Sequence, residues 1–130
     1  MLVKNGKNSL KKAAINAMKN SHSPHSKFKV GAALEGKSGM IYVGTNIEFD
    51  AYTLTVCAER VALFNAVSNG EKTFKTLVIA TSSNDFKYPC GLCRQALVEF
   101  NPKLKIILLT KKGKSKSIIL KDILPEFFKL

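Results

Sequence analysis

Three cysteines, one glutamate and one arginine carry the chemistry latent in this 130-residue chain. Cys57, Glu59 and Arg60 sit together in "TVCAERVALFNAV", while Cys90 and Cys93 stand two residues apart in "YPCGLCRQALVEF". At positions i and i+3 of a helix, Cys90 and Cys93 share a face and are close enough to hold one metal ion. The same C-x-x-C spacing serves thiol redox chemistry, which has no use for Cys57. Free cysteines are also common as small apolar residues in cores. Glu59 adds a sharper clue. On the first turn of a helix opening at Cys57, its carboxylate can reach a water on a metal without ligating it, although an acid at a helix N-terminus is favourable in its own right. Structural zinc sites close with four protein ligands, whereas catalytic ones leave a position for water. His22 and His25, the only histidines, are available to complete a closed site, and both fall in the loop-like segment "SHSPHS".

The elements that must position these groups follow from periodicity and turn chemistry. Residues 9–20 place Leu10, Ala13, Ala14, Ala17 and Met18 at helical spacing behind Ser9 as N-cap. Residues 21–26 read as a loop because Pro24 forces its predecessor toward extended geometry. Segments 28–35 and 40–44 read as strands joined by the turn "GKSG", and 45–55 as a long loop. Residues 57–70 form an amphipathic helix ending on the stop signal Asn69-Gly70. A buried-strand pattern over 76–82 leads to a second helix at 90–100, stopped before Pro102, and then to a third buried strand at 104–110. The tail 117–130 offers one more short strand and an apolar turn around Pro125. Helix, hairpin and then strand–helix alternation predict an α/β fold: a three-layer α/β/α sandwich with a mixed five-stranded sheet, built as one catalytic domain over residues 1–130. Both cysteine motifs open helices, so the two N-termini converge at one edge of the sheet, where the partial positive charge of helix ends favours thiolates.

Composition bounds the remaining classes. No apolar run approaches the roughly 18 residues of a membrane span. The stretch "MLVKNGKNSLKKAAINAM" has lysines but no uninterrupted apolar core, which argues against a secretory leader. Three cysteines are too few for a secreted disulfide scaffold, so the expected compartment is the cytoplasm. The 21 basic residues against 9 acidic ones give a net charge of +12, which by itself invites nucleic acid. Yet 19 of the 21 are lysines spread along the chain, and the two arginines, Arg60 and Arg94, each adjoin a cysteine motif. Groove readers lean on arginine, so a nucleic-acid partner is disfavoured. The dense patch "KKGKSKS" at 111–117 suits an anionic partner or simply a basic hairpin turn.

"CAE" followed downstream by "PCGLC" is the three-cysteine form of the H-x-E…P-C-x-x-C pattern of zinc deaminases. The likeness extends further. "SPHSKFKVGAAL", "NIE" with "AYTLTVCAER", "PCGLCRQALVEF" and the tail "ILPEFF" together resemble, in order and spacing over nearly the whole chain, the small homotetrameric members of the cytidine/deoxycytidylate deaminase family. The resemblance implies hydrolysis of cytidine and 2′-deoxycytidine to the uridine nucleosides with release of ammonia, a step of pyrimidine salvage. It implies one Zn²⁺ per chain held by Cys57, Cys90 and Cys93, with water in the fourth place. Glu59 would be the proton carrier, and Arg60 the hydrogen-bond donor to the ligand sulfurs. The nucleoside would meet Phe28 on its base, Asn46 and Glu48 on its ribose, and the Ala58 backbone N–H. Tyr52 and Phe128 would enter the pocket from a neighbouring subunit of a homotetramer.

His25 replaces the family's usual tyrosine, and Phe49-Asp50 replaces its usual Asn-Ala, both near the sugar and the subunit contacts. Two rival readings remain. One is a deaminase of a related aminonucleoside or of bases in RNA or DNA, though "NIE" suits a free ribose and no aromatic-rich surface holds flanking nucleotides. The other is a non-enzymatic zinc module completed by His22 or His25, for which Glu59 has no use.

Overall fold

Burial on both faces marks the central strands. β1 (Val30–Gly36), β2 (Ile41–Thr45) and β3 (Phe74–Thr81) are largely inaccessible along their length, as expected of a sheet covered on two sides. The computed structural model describes residues 7–130, so the first six residues of the stretch considered above for a leader lie outside it. With β4 (Lys105–Leu109) and β5 (Ser115–Ile119), the strands lie in the order β2-β1-β3-β4-β5. β1 is antiparallel to β2 and β3, β3 is parallel to β4, and β4 is antiparallel to β5, giving the mixed five-stranded sheet predicted. A parallel pair demands a crossover connection, and α3 (Gly91–Val98) supplies it between β3 and β4.

Alternation along each strand divides the core in two. Ala33, Ile41, Val78, Ala80, Ile107 and Leu109 face α1 (Lys7–Met18), which contributes Leu10 and Ala14. Ala32, Leu34, Leu77, Ile79, Ile106 and Leu108 face the opposite way, against Ala58, Ala62, Leu63 and Ala66 of α2 (Ala58–Ser68) and Leu97 and Val98 of α3. The result is the three-layer sandwich. No helix of the described residues is long and apolar enough to cross a membrane.

Two glycines bring helix backbone down onto the sheet. A Cβ on Gly31 would fall 2.5 Å from the Met18 nitrogen, and one on Gly44 would fall 2.6 Å from the Ala58 carbonyl oxygen. Gly44 matters most here, because Ala58 is the first residue of α2 and follows Cys57 directly.

Local differences from the sequence reading have identifiable causes. Ser9 lies inside α1 rather than capping it, because the helix extends two residues upstream to Lys7. β1 begins at Val30 rather than Phe28: Lys27 has φ 61°, and the Phe28 N–H donates to Ser26 Oγ at 3.0 Å, so the chain is still turning there. The 45–55 loop is pinned by bridges of Ile47 to His22 and Val56, with a 3₁₀ turn at Tyr52–Leu54. A second 3₁₀ helix, Leu120–Ile123, follows β5. Asn69 closes α2 as read, with Gly70 in the left-handed region at φ 88°.

Candidate active site

Cys57 and Cys90 occupy the N-cap positions of α2 and α3, and neither side chain makes a capping hydrogen bond. Their sulfurs lie 3.6 Å apart, Cys90 and Cys93 are separated by the same 3.6 Å, and all three lie within 4.8 Å of one another. Zn–S bonds of about 2.3 Å in a tetrahedron place sulfurs about 3.8 Å apart. The cluster therefore fits a zinc ion without rearrangement. Among the described residues it is the only such group of histidine, cysteine and acidic side chains, and neither His22 nor His25 belongs to it.

Electrostatics around the thiols favours charge. A hydrogen bond from Cys93 holds the Cys57 thiol down at about 5, with Arg60 and Cys90 acting in the same direction against burial. The same bond, burial and the Glu59 charge push the Cys93 thiol upward. Arg60 Nη2 donates to Cys57 Sγ at 3.9 Å. Its Nε is buried and has no acceptor among the described residues, an orphan that a cluster of thiolates would relieve.

Glu59, two residues into the same helix, is 5% exposed. Burial raises its carboxyl to about 7, the Cys57 charge adding to the rise and Arg60 opposing it. A carboxyl poised there can both accept and release a proton near neutrality.

Cys57, Glu59 and Cys90 line a cavity of about 310 Å³ that also presents Phe28, Asn46, Glu48 and Ala58. Asn46 is fixed from several sides: Oδ1 accepts from Ser21 Oγ (2.6 Å) and the Val30 N–H (3.0 Å), and Nδ2 donates to the Phe28 carbonyl at 2.8 Å. One Nδ2 hydrogen has no acceptor among the described residues. Glu48 accepts from the His25 and Ser26 N–H groups at 2.9 and 3.0 Å and from Ser26 Oγ. The Ser26 hydroxyl leads the interactions that lower its carboxyl below the ordinary range. A larger cleft of about 640 Å³ between α1 and β2 has, among the described residues, Lys12 as its only titratable lining residue, so the chemistry belongs to the smaller cavity.

Tyr52 and Phe128 are not in this cavity. They are 75% and 67% exposed, and Tyr52 instead lines an adjoining hollow of about 230 Å³ with His25, Glu48 and Thr55. Phe127, by contrast, packs against the core. The cavity also has a wall that sequence reasoning missed, Lys87 and Tyr88. Lys116 donates to the Tyr88 hydroxyl at 2.6 Å and stands 5.3 Å from its ring centroid. The adjacency of Tyr88 to "PCGLC" was the available signal.

Comparison with known proteins points to one family. The model of the cytidine and deoxycytidylate deaminase zinc-binding region matches residues 4–109. A cytidine deaminase from Sporosarcina psychrophila is 42% identical over 113 residues, covering 86% of this chain and 83% of that protein. One from Halalkalibacterium halodurans is 39% identical over 118 residues, covering 90% and 89%. The crystal structure of a cytidine deaminase from Burkholderia pseudomallei superposes with a TM-score of 0.91 at 35% identity, over 95% of this chain and 100% of that one. With all three cysteines of the cluster inside the matched zinc-binding region, the chain belongs to the cytidine and deoxycytidylate deaminase family.

Proposed function

We propose that residues 1–130 form a single catalytic domain that hydrolyses cytidine and 2′-deoxycytidine to uridine and 2′-deoxyuridine, consuming water and releasing ammonia, in cytoplasmic pyrimidine salvage. The observation that carries this reading is the buried Glu59 carboxyl set beside the three sulfurs in a cavity of about 310 Å³.

Cys57, Cys90 and Cys93 would hold the ion, one per chain. When bound, zinc supplies the Lewis acidity that makes hydroxide available near neutral pH. Glu59 accepts a proton from the attacking water and passes it to N3 of the pyrimidine, then takes the remaining proton of that oxygen, now bonded to C4, and delivers it to the departing amino nitrogen. Three thiolates and a divalent ion sum to a net charge of about −1, and Arg60 offsets that excess by donating to sulfur. Phe28 packs on the pyrimidine ring, and the Ala58 N–H orients it. Asn46, through its uncommitted amide hydrogen, and Glu48, through its remaining lone pairs, take the ribose hydroxyls.

The same reading includes a homotetramer with shared sites. Its support is the apolar surface that one chain leaves in water: Tyr52, Leu54, Phe64, Leu92 and Phe128 are all exposed. Tyr52 and Phe128 then complete a neighbour's pocket rather than their own. Ammonia release from free cytidine, 2′-deoxycytidine, other aminonucleosides and single-stranded RNA or DNA, measured on the purified zinc-loaded protein, tests the reading. Turnover of the free cytidine nucleosides is the expected result, and turnover confined to polynucleotide or to other aminonucleosides would overturn it.

A further inference from the structure

Arg94 follows Cys93 and touches no sulfur, and its guanidinium is spent on two backbone carbonyls. Nε donates to the Pro89 carbonyl at 2.7 Å, and Nη1 donates to the Ile123 carbonyl at 2.7 Å. Pro89 is fully buried and immediately precedes Cys90. Ile123 ends the 3₁₀ helix that begins the C-terminal tail. Next along α3, Gln95 Nε2 donates to the Phe128 carbonyl at 3.0 Å. Two consecutive side chains of one helix therefore hold the tail at two points, and one of them also holds the peptide carrying a zinc ligand.

The fork geometry of guanidinium suits such a bridge, since two of its N–H groups diverge in a fixed plane while a lysine offers a single mobile point charge. The tail also rests Ile123, Leu124 and Phe127 on the core but has few other hydrogen bonds. Leu120 and Lys121 donate to the Leu104 and Pro102 carbonyls, and beyond them Leu124 makes only a 3.4 Å bond to Lys121. At the other end of the bridge, Cys90 is exposed and its side chain makes no cap bond.

We infer that Arg94 is a positioning residue that couples the Cys90 loop to the C-terminal tail, so that metal loading and tail seating share one equilibrium. Coupling of this kind is reciprocal: zinc, by fixing Cys90 and hence the Pro89 carbonyl, orders the tail, and an ordered tail tightens zinc. The inference rests on Cys90 being a zinc ligand.

Two measurements on the full chain test it. Zinc affinity is read by competition with the chromogenic chelator 4-(2-pyridylazo)resorcinol, and tail order by hydrogen exchange at the Leu120, Lys121 and Leu124 amides with and without zinc. In the wild type, zinc should slow exchange at those amides. R94A should bind zinc roughly tenfold or more weakly, the lower end of the loss seen when partners of metal ligands are removed, and zinc should no longer slow its tail exchange. R94K keeps the charge and should still lack the coupling; it serves where R94A does not fold. Wild-type zinc affinity in R94A, full coupling in R94K, or wild-type tail exchange indifferent to zinc would each overturn the coupling. A wild-type protein that takes no zinc would overturn the metal reading and the coupling with it.

Discussion

The Arg60 guanidinium reaches the Cys57 sulfur at 3.9 Å from one turn further along the same helix, with its Nε buried and without an acceptor among the described residues. That arrangement places a cation against the sulfur cluster. Arg60→Ala should lower kcat/KM by roughly 10–100-fold, the usual cost of losing a partner of a metal ligand, while far-UV circular dichroism stays unchanged. Steady-state kinetics with zinc content measured in parallel decides it, and a variant with wild-type kinetics would remove Arg60 from the site.

Glu59→Gln keeps the shape of the buried side chain and removes its ability to carry a proton. Zinc content and fold should be retained while turnover falls by at least about 10²–10⁴-fold, the usual contribution of a positioned acid–base group. Elemental analysis together with ammonia release separates the two effects. Near-normal turnover would take Glu59 out of the mechanism.

Phe128 is exposed in the single chain while Phe127 is packed against the core. Leaving Phe128 in water forgoes roughly 1.5–3 kcal/mol relative to burial. Phe128→Ala should therefore raise KM for cytidine with little change in kcat and loosen the proposed tetramer in light scattering. Phe127→Ala should instead lower thermal stability. A fully active monomer would defeat the shared-site model.

A pH prediction comes from the far end of the sheet. Glu71 accepts from the Ser38 N–H at 3.3 Å, from the Tyr42 hydroxyl at 3.1 Å and from Ser38 Oγ, clasping the β1–β2 turn. The Ser38 hydroxyl leads the interactions that hold its carboxyl below the ordinary 4.5, against a smaller opposing effect of burial. A depressed carboxyl binds protons more weakly in the folded state. Its stabilisation is therefore present above about pH 4.5 and is lost as pH falls through the lower folded value. Glu71→Gln should lose of order 1 kcal/mol at neutral pH, and the gap to wild type should narrow in acid. Urea melts at pH 7 and pH 3 measure this, and a gap that does not change with pH would refute it.

The sequence declared whatever its own local spacing could declare. "CAE" and "PCGLC" name their residues within single helix turns, and the sheet's mixed character followed from the order of helical and strand-like segments. What escaped lies between elements remote in sequence. Tyr88 is held by Lys116 from β5, and Arg94 finds Ile123, neither pairing being encoded by any period of 2 or 3.6. The replacements His25 and Asp50 looked like separate departures from the family pattern, yet His25 Nε2 lies 3.2 Å from Asp50 Oδ1 and the His25 ring meets Tyr52 edge-on at 5.7 Å. The two departures thus meet in space, beside Glu48. The start of α1 escaped for the opposite reason: a good capping residue, Ser9, stands where the helix is already under way.

Between Cys57 and Cys90 the chain runs through the whole of β3, the middle strand of the sheet. In an unfolded chain Cys90 and Cys93 are near neighbours, whereas holding Cys57 beside them takes a long loop closure that the docking of β3 between β1 and β4 completes. The ion thus acts as a latch on a finished assembly rather than as a seed for it. Interactions absent from the folding transition state slow unfolding and leave folding nearly unchanged. Stopped-flow refolding should accordingly show similar folding arms with and without zinc, and an unfolding arm that falls when zinc is present. The latch makes the protein's lifetime, more than its speed of formation, a function of the metal supply.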